Sequence, residues 1–282
     1  MAAATAVVFG YGDIGVRGLA ALLEAGLEVP LVVTHRDDPK ETRWYGSLFD
    51  FSRNRGLAVL ADPPADELER RVAALKPDLI FSFYYRSMLP MSLLARARLG
   101  AFNLHGSLLP KFRGRAPLNW AILKGEAETG VTLHEMVAKP DAGRIVDQQA
   151  VPIGPDENAL EVFRKMTDAA EAVLRRSIKN LLSGTAKLTP QDLAAGSYFG
   201  RRTPEDGRID WSRSAREIHD LVRAVAPPFA GAFTEGMRIL KTRVEDERLP
   251  LKNHLGPYRE GGEWFAACGD GKVLRLLEIE QT

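Results

Sequence analysis

AVVFGYGDIG, residues 6–15, is the stretch that decides the fold class of this 282-residue chain. Residues 6–10 (AVVFG) are apolar and rich in valine and phenylalanine, which is typical of a short buried strand. The glycines that follow allow a tight turn, and the spacing beyond them predicts a helix over Ile14–Ala25. A buried strand that passes through a glycine turn into a helix is the usual opening of a parallel α/β sheet.

Apolar stretches and helical patterns keep alternating further along the chain. The predicted strands are Val29–Thr34, Leu57–Leu60, Asp78–Tyr84, Ala101–His105, Thr129–Met136 and Ile145–Ile153. The predicted helices are Asp66–Leu75, Pro90–Arg98 and Asn158–Leu182. This alternation predicts a Rossmann-like α/β fold, a mostly parallel sheet with helices on both faces. Ligands of such sheets bind at the carboxyl ends of the strands.

The composition and residue pattern of the sequence change in its last third. Gln191–Gly207 is polar and rich in turn residues, and short strands with glycine turns follow from Phe229 onward. One more helix is predicted at Ser212–Val225. We therefore predict a Rossmann-like catalytic domain over residues 1–203 and a small β-rich, OB-like domain over residues 204–282.

Composition and charge are those of an ordinary globular protein. The formal net charge is only +1, so no strong positive field attracts a nucleic-acid backbone. The single cysteine, Cys268, excludes an internal disulfide and a cysteine-rich metal site. The sequence has no stretch near the ~20 apolar residues of a membrane span and no signal-peptide pattern. We expect a cytoplasmic protein with no nucleic-acid partner and no stable membrane insertion.

Residues 102–122, FNLHGSLLPKFRGRAPLNWAI, carry the chemistry. Asn103 and His105 stand at alternate positions of a predicted strand, so their side chains point the same way. An amide donor and an imidazole aimed at one carbon suit acyl transfer, because one stabilises the oxyanion and the other moves the proton. Ser107 lies outside a GxSxG elbow, so we interpret it as a loop residue that bonds to the backbone.

The glycine motif of residues 10–15 allows a different interpretation. GxGxxG between a strand and a helix is typical of dinucleotide-binding proteins, where pyrophosphate sits at the helix N-terminus. The next predicted strand runs into His35–Asp38, which offers an acid for a ribose and a cation for a 2′-phosphate. An NAD(P)-dependent oxidoreductase is therefore an alternative, although the same glycines also serve a tight turn with close helix packing.

Two long, ordered motifs resemble those of the 10-formyltetrahydrofolate-dependent formyltransferases. They are residues 103–110 (NLHGSLLP) with Arg113-Gly114, Pro117 and Trp120, and residues 129–134 (TGVTLH) with Asp141-Ala142-Gly143. The resemblance implies a formyltransferase that uses 10-formyltetrahydrofolate as its co-substrate and needs no metal. It assigns oxyanion binding to Asn103, proton transfer to His105 and orientation of the imidazole to Asp141. Each of the three also has a structural interpretation, as a turn residue or a satisfied strand histidine.

Three further segments resemble the formyltransferase half of the bifunctional enzyme that acts on UDP-4-amino-4-deoxy-L-arabinose. They are Trp44–Ser47, Phe81–Arg86 and Tyr198–Pro204. This resemblance implies a UDP-linked amino sugar as the acceptor, with a role in lipid A modification and polymyxin resistance. The bifunctional enzyme continues into a dehydrogenase/decarboxylase domain that residues 1–282 do not contain. We expect that activity as a fused or separate partner.

The resemblance also implies ligand contacts. Those with folate are Ser87, Met88, Leu89, Arg115, Val137, Ala138, Lys139 and Pro140. Those with the sugar nucleotide are Tyr84, Tyr85, Arg201 and Arg202, of which the arginines offer bidentate donors to phosphate. Helix-start packing explains Met88 and Leu89 equally simply, and solvated surface explains the arginine pair. His35, His134, His219 and His254 receive no role.

Rival functions share some of these features. A methionyl-tRNA formyltransferase would use the same Asn103, His105 and Asp141, but residues 36–47 (RDDPKETRWYGS) mix both signs of charge where tRNA needs cations. A glycinamide-type purine enzyme would lack the C-terminal β domain. A folate-binding module without catalysis would not need the three polar residues.

Overall fold

The computed structural model describes residues 3–37, 43–245 and 254–281. The strands of these residues are, in chain order, β1 (Thr5–Gly10), β2 (Glu28–Thr34), β3 (Val59–Ala61), β4 (Leu79–Phe83), β5 (Gly100–His105), β6 (Arg113–Gly114), β7 (Glu128–Glu135), β8 (Ile145–Pro152), β9 (Tyr198–Phe199), β10 (Ala232–Thr234), β11 (Met237–Glu245), β12 (Gly256–Glu260), β13 (Glu263–Ala267) and β14 (Val273–Gln281). The helices are α1 (Gly12–Glu24), α2 (Leu48–Arg53), α3 (Ala65–Leu75), α4 (Met91–Leu94), α5 (Pro117–Leu123), α6 (Ala159–Ser183) and α7 (Ala215–Val225). None of these helices is long and apolar enough to cross a membrane.

The central sheet confirms the predicted Rossmann-like class. Among the described residues it has seven strands in the order β3-β2-β1-β4-β5-β7-β8. Strands β3, β2, β1, β4 and β5 run parallel, and β7 pairs with β5 in the antiparallel sense. The direction of winding reverses between β1 and β4, which is the position where such sheets bind ligands at their carboxyl edge.

Helices cover both faces of this sheet. Val7, Phe9 and Ile80 point to one face, where side chains of α3 and α4 complete a buried cluster that we call the core cluster. On the opposite face α1 approaches so closely that a Cβ on Gly18 would lie 2.5 Å from the Phe83 ring. Each large apolar side chain buried in this way contributes roughly 1.5–3 kcal/mol to folding.

One predicted helix is wrong in its length. The pattern at Pro90–Arg98 predicts a helix of two turns, but α4 ends at Leu94. The chain turns there because the N–H groups of Arg98 and Leu99 donate to Pro77 and Asp78 carbonyls at 3.1 and 2.7 Å. These tertiary bonds lead the backbone into β5 and override the local helical preference.

A short helix that the sequence analysis did not predict, α2, lies between β2 and β3. It begins after Ser47, whose hydroxyl accepts the N–H of Asp50 at 3.2 Å. A serine at this position satisfies one of the free N–H groups at the start of the helix. With six residues the helix is too short for its hydrophobic periodicity to stand out in the sequence.

The chain divides into two compact units that are interleaved in sequence. Unit 1 comprises Met1–Gly114, Gly130–Val151 and Lys165–Tyr198, and unit 2 comprises Arg115–Thr129, Pro152–Arg164 and Phe199–Thr282. The predicted domains, 1–203 and 204–282, place one boundary near Thr203 instead. That boundary stays a prediction.

Unit 2 contains the predicted β-rich C-terminal part. Its described residues form a five-stranded antiparallel sheet in the order β10-β11-β14-β13-β12. Helix α7 begins with a capping box in which Ser214 and Glu217 bond to each other's backbone N–H. Cys268 is a buried free cysteine, as predicted, and burial raises the pKa of its thiol to about 12.

Candidate active site

Four polar residues occupy facing positions where β5 and β7 pair. Asn103 and His105 alternate along β5, and the antiparallel register places them opposite His134 and Thr132 of β7. Residues opposite each other on paired strands point to the same face, so all four share one face of the sheet. The predicted common direction of Asn103 and His105 is confirmed.

His105 faces an oxygen acceptor at each ring nitrogen. Its Nε2 donates to the Phe112 carbonyl oxygen at 2.9 Å, so this nitrogen carries a proton. Its Nδ1 lies 3.5 Å from Oδ1 of Asp141. An imidazolium satisfies both acceptors, whereas a neutral ring turns a lone pair toward the carboxylate. The surroundings of His105 therefore suit a ring that takes up a proton during reaction.

Asp141 directs its carboxylate at two histidines from a tight turn. Its φ of +53° lies in the left-handed region that is uncommon for residues other than glycine. Oδ2 accepts the N–H of Gly114 at 2.9 Å. Oδ1 lies 3.5 Å from Nδ1 of His105 and 3.7 Å from Nε2 of His134. The residue thus forms a turn and also faces the two imidazoles.

His134 is the member of the site to which the sequence analysis assigned no role. Burial lowers its pKa to about 4, His105 adds to the effect, and Asp141 opposes it. The ring is therefore neutral near pH 7. Its Nδ1 donates to the Glu135 carbonyl oxygen at 2.8 Å, which leaves a lone pair on Nε2. The alternation in residues 129–134 (TGVTLH) predicts that His134 and Thr132 point to the same face of the strand. The pairing with β5 is needed to show which residues His134 faces.

The neutral His134 fixes the amide of Asn103. Asn103 Nδ2 lies 3.1 Å from His134 Nε2 and donates one of its two hydrogens to it. An amide oxygen at this place would meet the lone pair of Nε2, so the opposite orientation is disfavoured. One hydrogen of Nδ2 stays available for a ligand oxygen on the half-buried side of the residue.

The loop after β5 is held by side chains bonded to the backbone. Ser107 donates from Oγ to the Lys111 carbonyl oxygen at 2.6 Å, which confirms its prediction as a loop residue. Thr132 donates from Oγ1 to the Ser107 carbonyl oxygen, also at 2.6 Å. These bonds keep the Phe112 carbonyl in place against His105.

Acidification is expected to destabilise the folded protein through His134. The ordinary imidazole pKa is 6.5, and the folded state lowers it to about 4. Between these values the unfolded chain binds a proton that the folded protein does not, so the free energy of unfolding falls as pH decreases. The loss from about pH 7 to about pH 5 is on the order of 2 kcal/mol. Urea unfolding of the wild type and of His134→Asn measures it, and equal losses in both would contradict this origin.

The residues predicted to contact folate in unit 1 form two segments. In the first, Ser87 and Met88 are exposed, Met88 by 66%, and Leu89 packs against the core cluster. The second segment follows Met136, which packs against the same cluster. Its residues Val137, Ala138 and Lys139 are exposed, and Pro140 is half-buried. Both segments border the core cluster on the face that carries Asn103 and His105. Arg115 is exposed and belongs to unit 2.

Tyr84 and Tyr85, predicted to contact the sugar nucleotide, already pack within unit 1. Tyr84 has a φ of +59°, its hydroxyl lies against Gly106, and burial raises the pKa of that hydroxyl. Tyr85 stacks on His35 with ring centroids 4.3 Å apart. Internal packing therefore accounts for both rings, and contact with a ligand stays a prediction.

Arg201 and Arg202 lie in unit 2. The Arg202 guanidinium lies 4.9 Å from the centre of the Trp120 ring and donates to the Asp206 carbonyl oxygen at 2.9 Å. Burial lowers the pKa of Arg202, and Asp206 opposes the effect. Arg201 is exposed. The cation–π contact gives Arg202 a fixed position, while phosphate binding by the pair stays a prediction.

The glycine motif is occupied by the protein's own residues. Gly12 has a φ of +61°, and a Cβ there would lie 3.6 Å from the Tyr45 ring. The N–H of Gly46 donates to Oδ1 of Asp13 at 2.6 Å. Tyr45 and Gly46 thus cover the helix N-terminus where a dinucleotide-binding protein holds pyrophosphate. This supports the tight-turn interpretation of the motif. Asp38 lies outside the described residues.

The arrangement supplies the elements of acyl transfer to an amine. Asn103 offers an N–H to a developing oxyanion, His105 offers a proton-transfer group, and Asp141 offers a negative charge to the imidazolium. Within residues 3–37, 43–245 and 254–281, no three His, Cys, Asp or Glu side chains are grouped so as to hold a metal ion.

Solved structures of similar fold include three that were determined with a folate. An N-formyltransferase from Helicobacter canadensis, in complex with folinic acid and dTDP-3-aminofucose, has 22% identity and a TM-score of 0.80 over 97% of this chain and 99% of that chain. The sugar 3N-formyl transferase WlaRD, with dTDP and 5-N-formyl-THF, has 21% identity and a TM-score of 0.79 over 98% of each chain. HypX from Aquifex aeolicus, in complex with tetrahydrofolic acid, has 22% identity and a TM-score of 0.66 over 96% of this chain and 43% of that chain. These likenesses show the fold.

Family models cover most of the sequence. The model described as formyl transferase matches residues 6–178. The model described as formyl transferase, C-terminal domain, matches residues 201–282. Asn103, His105, His134 and Asp141 all lie within the first match. The chain therefore belongs to the formyl transferase family.

Proposed function

We propose that this protein is a sugar N-formyltransferase that moves a formyl group from 10-formyltetrahydrofolate to the 4-amine of a UDP-linked amino sugar. The observation that carries the proposal is the convergence of Asn103, His105 and Asp141 on one face of the sheet. We further propose UDP-4-amino-4-deoxy-L-arabinose as the acceptor, with lipid A modification as the purpose.

In the proposed reaction a neutral sugar amine attacks the formyl carbon, the new C–N bond forms, and the bond to the folate nitrogen breaks. Asn103 holds the oxyanion of the tetrahedral species with its remaining N–H. His105 takes the proton of the attacking amine and passes it to the departing folate nitrogen. Asp141 stabilises the imidazolium between these two events through its negative charge. The proton lost by one nitrogen is thus gained by the other.

The two segments at Ser87–Leu89 and Val137–Pro140 suit a folate. Met88 is 66% exposed and Val137 is 38% exposed, so both offer apolar surface beside the polar site. A flat pterin can cover such side chains while its polar edge bonds to backbone groups. Arg115 is proposed to contact the same ligand. Folates bound to the structurally similar proteins support this assignment.

A nucleotide-linked amino sugar is the acceptor class that similar structures favour, since the Helicobacter canadensis enzyme holds dTDP-3-aminofucose. The choice of UDP rests on the segments Trp44–Ser47, Phe81–Arg86 and Tyr198–Pro204, which resemble the arabinose enzyme. A net charge of +1 gives little support to a tRNA acceptor.

The acceptor can be identified by parallel assays. The protein is incubated with 10-formyltetrahydrofolate and, separately, with UDP-4-amino-4-deoxy-L-arabinose, a dTDP-linked amino sugar, or charged initiator tRNA. Mass spectrometry of the acceptor and absorbance of the released tetrahydrofolate report turnover. Highest kcat/KM with the UDP sugar supports the proposal. A higher kcat/KM with the dTDP sugar would show that the nucleotide of the acceptor is dTDP and not UDP. Turnover with tRNA alone would contradict the proposal that the acceptor is a sugar.

Arg202→Ala is expected to raise KM for the nucleotide sugar about ten-fold while kcat changes less than three-fold, because phosphate binding is equal in ground and transition states. Steady-state kinetics with varied sugar nucleotide test this. Arg201→Ala is the matched variant, because Arg201 is exposed and Arg202 is the arginine of the pair that stacks on Trp120. An unchanged KM in both variants would place the diphosphate elsewhere.

A further inference from the structure

Gln191 reaches the active-site turn from a distant part of the sequence. Its Nε2 donates to the carbonyl oxygens of Asp141 at 3.0 Å and of Gly143 at 2.6 Å. The bonds span 50 and 48 residues of sequence. Gln191 is thus bonded to the backbone of the residue whose carboxylate faces His105 and His134.

The backbone before Gln191 is itself fixed. Ile145 and Thr189 exchange two backbone bonds, from Ile145 N–H at 2.7 Å and from Thr189 N–H at 2.8 Å. This bridge connects the segment that carries Gln191 to the start of β8, only two residues after Gly143. The glutamine therefore extends from a position that is rigid with respect to the turn.

The turn at Asp141 needs such a restraint. A φ of +53° is a costly conformation for an aspartate and persists only where surrounding bonds impose it. The side chain is restrained by the Gly114 N–H, and the backbone carbonyl by Gln191. Without the second bond the turn can relax, and the carboxylate would move away from the imidazoles.

The amide oxygen of Gln191 contributes little to the stability of the protein. Its Oε1 is buried and has no hydrogen-bond partner among the described residues. A buried acceptor without a partner is unfavourable, and an apolar side chain of equal size would avoid that cost. What only a glutamine supplies here is the Nε2 donor aimed at the two carbonyls.

We propose that Gln191 is a positioning residue, which holds Asp141 at the distance from His105 that proton transfer requires. The inference rests on the proposed function of Asp141. Gln191 acts through the backbone of the turn.

A double-mutant cycle separates positioning from general stability. Gln191→Met keeps the size of the side chain and removes the donor, and it should lower kcat about ten-fold or more, because small displacements of catalytic groups cost large factors in rate. KM for either substrate should change less than about two-fold. In the Asp141→Asn background the same substitution should cost less than about two-fold, since the two residues act as a unit. Equal losses in both backgrounds would overturn the proposal.

Gln149→Met is the matched control, because Gln149 lies on β8 of the same unit, donates from Nε2 to the adjacent Ala150 carbonyl oxygen and accepts from Arg176 at Oε1. Its kcat should stay near that of the wild type, and an equal loss there would also overturn the proposal. Should Gln191→Met not fold, Gln191→Leu also lacks the donor, and the same cycle applies.

A second measurement needs no substrate. In protein with ¹⁵N-labelled histidine, NMR titration follows the imidazoles of the five histidines. Gln191→Met should lower the pKa of His134 further, in the same direction as Asp141→Asn, because the Asp141 carboxylate opposes the lowering of that pKa. The pKa of His219 should stay unchanged. A His134 titration that matches the wild type would overturn the positioning role. Absence of sugar formylation by the wild type would instead contradict the proposed function alone.

Discussion

His105→Ala is expected to lower kcat for formyl transfer by roughly a thousand-fold, within the range that one proton-transfer group contributes. The imidazole is the group that faces both Asp141 and the Phe112 carbonyl, and it is 7% exposed. Alanine removes the path by which the amine proton reaches the leaving nitrogen. Folate binding should change little, because the proposed folate contacts are made by residues other than His105. Single-turnover kinetics give the rate, and titration with 5-formyltetrahydrofolate gives the affinity.

His254→Ala serves as the control for this substitution. His254 is exposed and lies in unit 2, so both rate and affinity should match the wild type. A His105→Ala protein that keeps a tenth of the wild-type rate would show that another group moves the proton.

Asn103→Ala should cost about a hundred- to a thousand-fold in kcat, the usual effect of removing one oxyanion donor. Two contacts disappear together. The developing oxyanion loses its N–H, and the buried Nε2 of His134 loses the hydrogen that Asn103 donates at 3.1 Å. KM for the folate should stay within a few-fold of the wild type, because the donor acts on charge that exists only in the transition state. Steady-state kinetics at saturating sugar nucleotide measure both constants.

Asn54→Ala is the comparison for the asparagine, since Asn54 is an exposed residue at the end of α2. It should leave both constants unchanged. If Asn103→Ala keeps a tenth of the wild-type rate, the Asn103 amide does not bind the oxyanion.

The sequence was most informative where the contacts are local. Asn103 and His105 lie two residues apart on one strand, and the two-residue period of a strand alone predicts their shared direction. Strands β1, β2, β4 and β5 were predictable for the same reason, because each is a short apolar stretch with a clear boundary. The prediction of a helix over Pro90–Arg98 was wrong in length, because backbone bonds to Pro77 and Asp78 end the helix at Leu94.

Residues that act across the sheet were harder to find. His134 meets Asn103 only through the register between β5 and β7, which no single strand reveals. Gln191 lies in a polar segment without periodicity, and its bonds reach back to the Asp141 turn. Asp141 was identified by resemblance to a family motif, and its distance to His105 required the fold.

The interleaving of the two units has a consequence for any attempt to produce a shortened protein. Helix α5 buries Leu118, Ala121 and Ile122 and belongs to unit 2, where Asn119 donates to the Ala224 carbonyl of α7 at 2.7 Å. A truncation after Thr203 would retain α5 but delete α7. The apolar side chains of α5 would then be exposed to water, and the fragment would tend to aggregate during expression. A single truncation point therefore does not separate the two compact units of this chain.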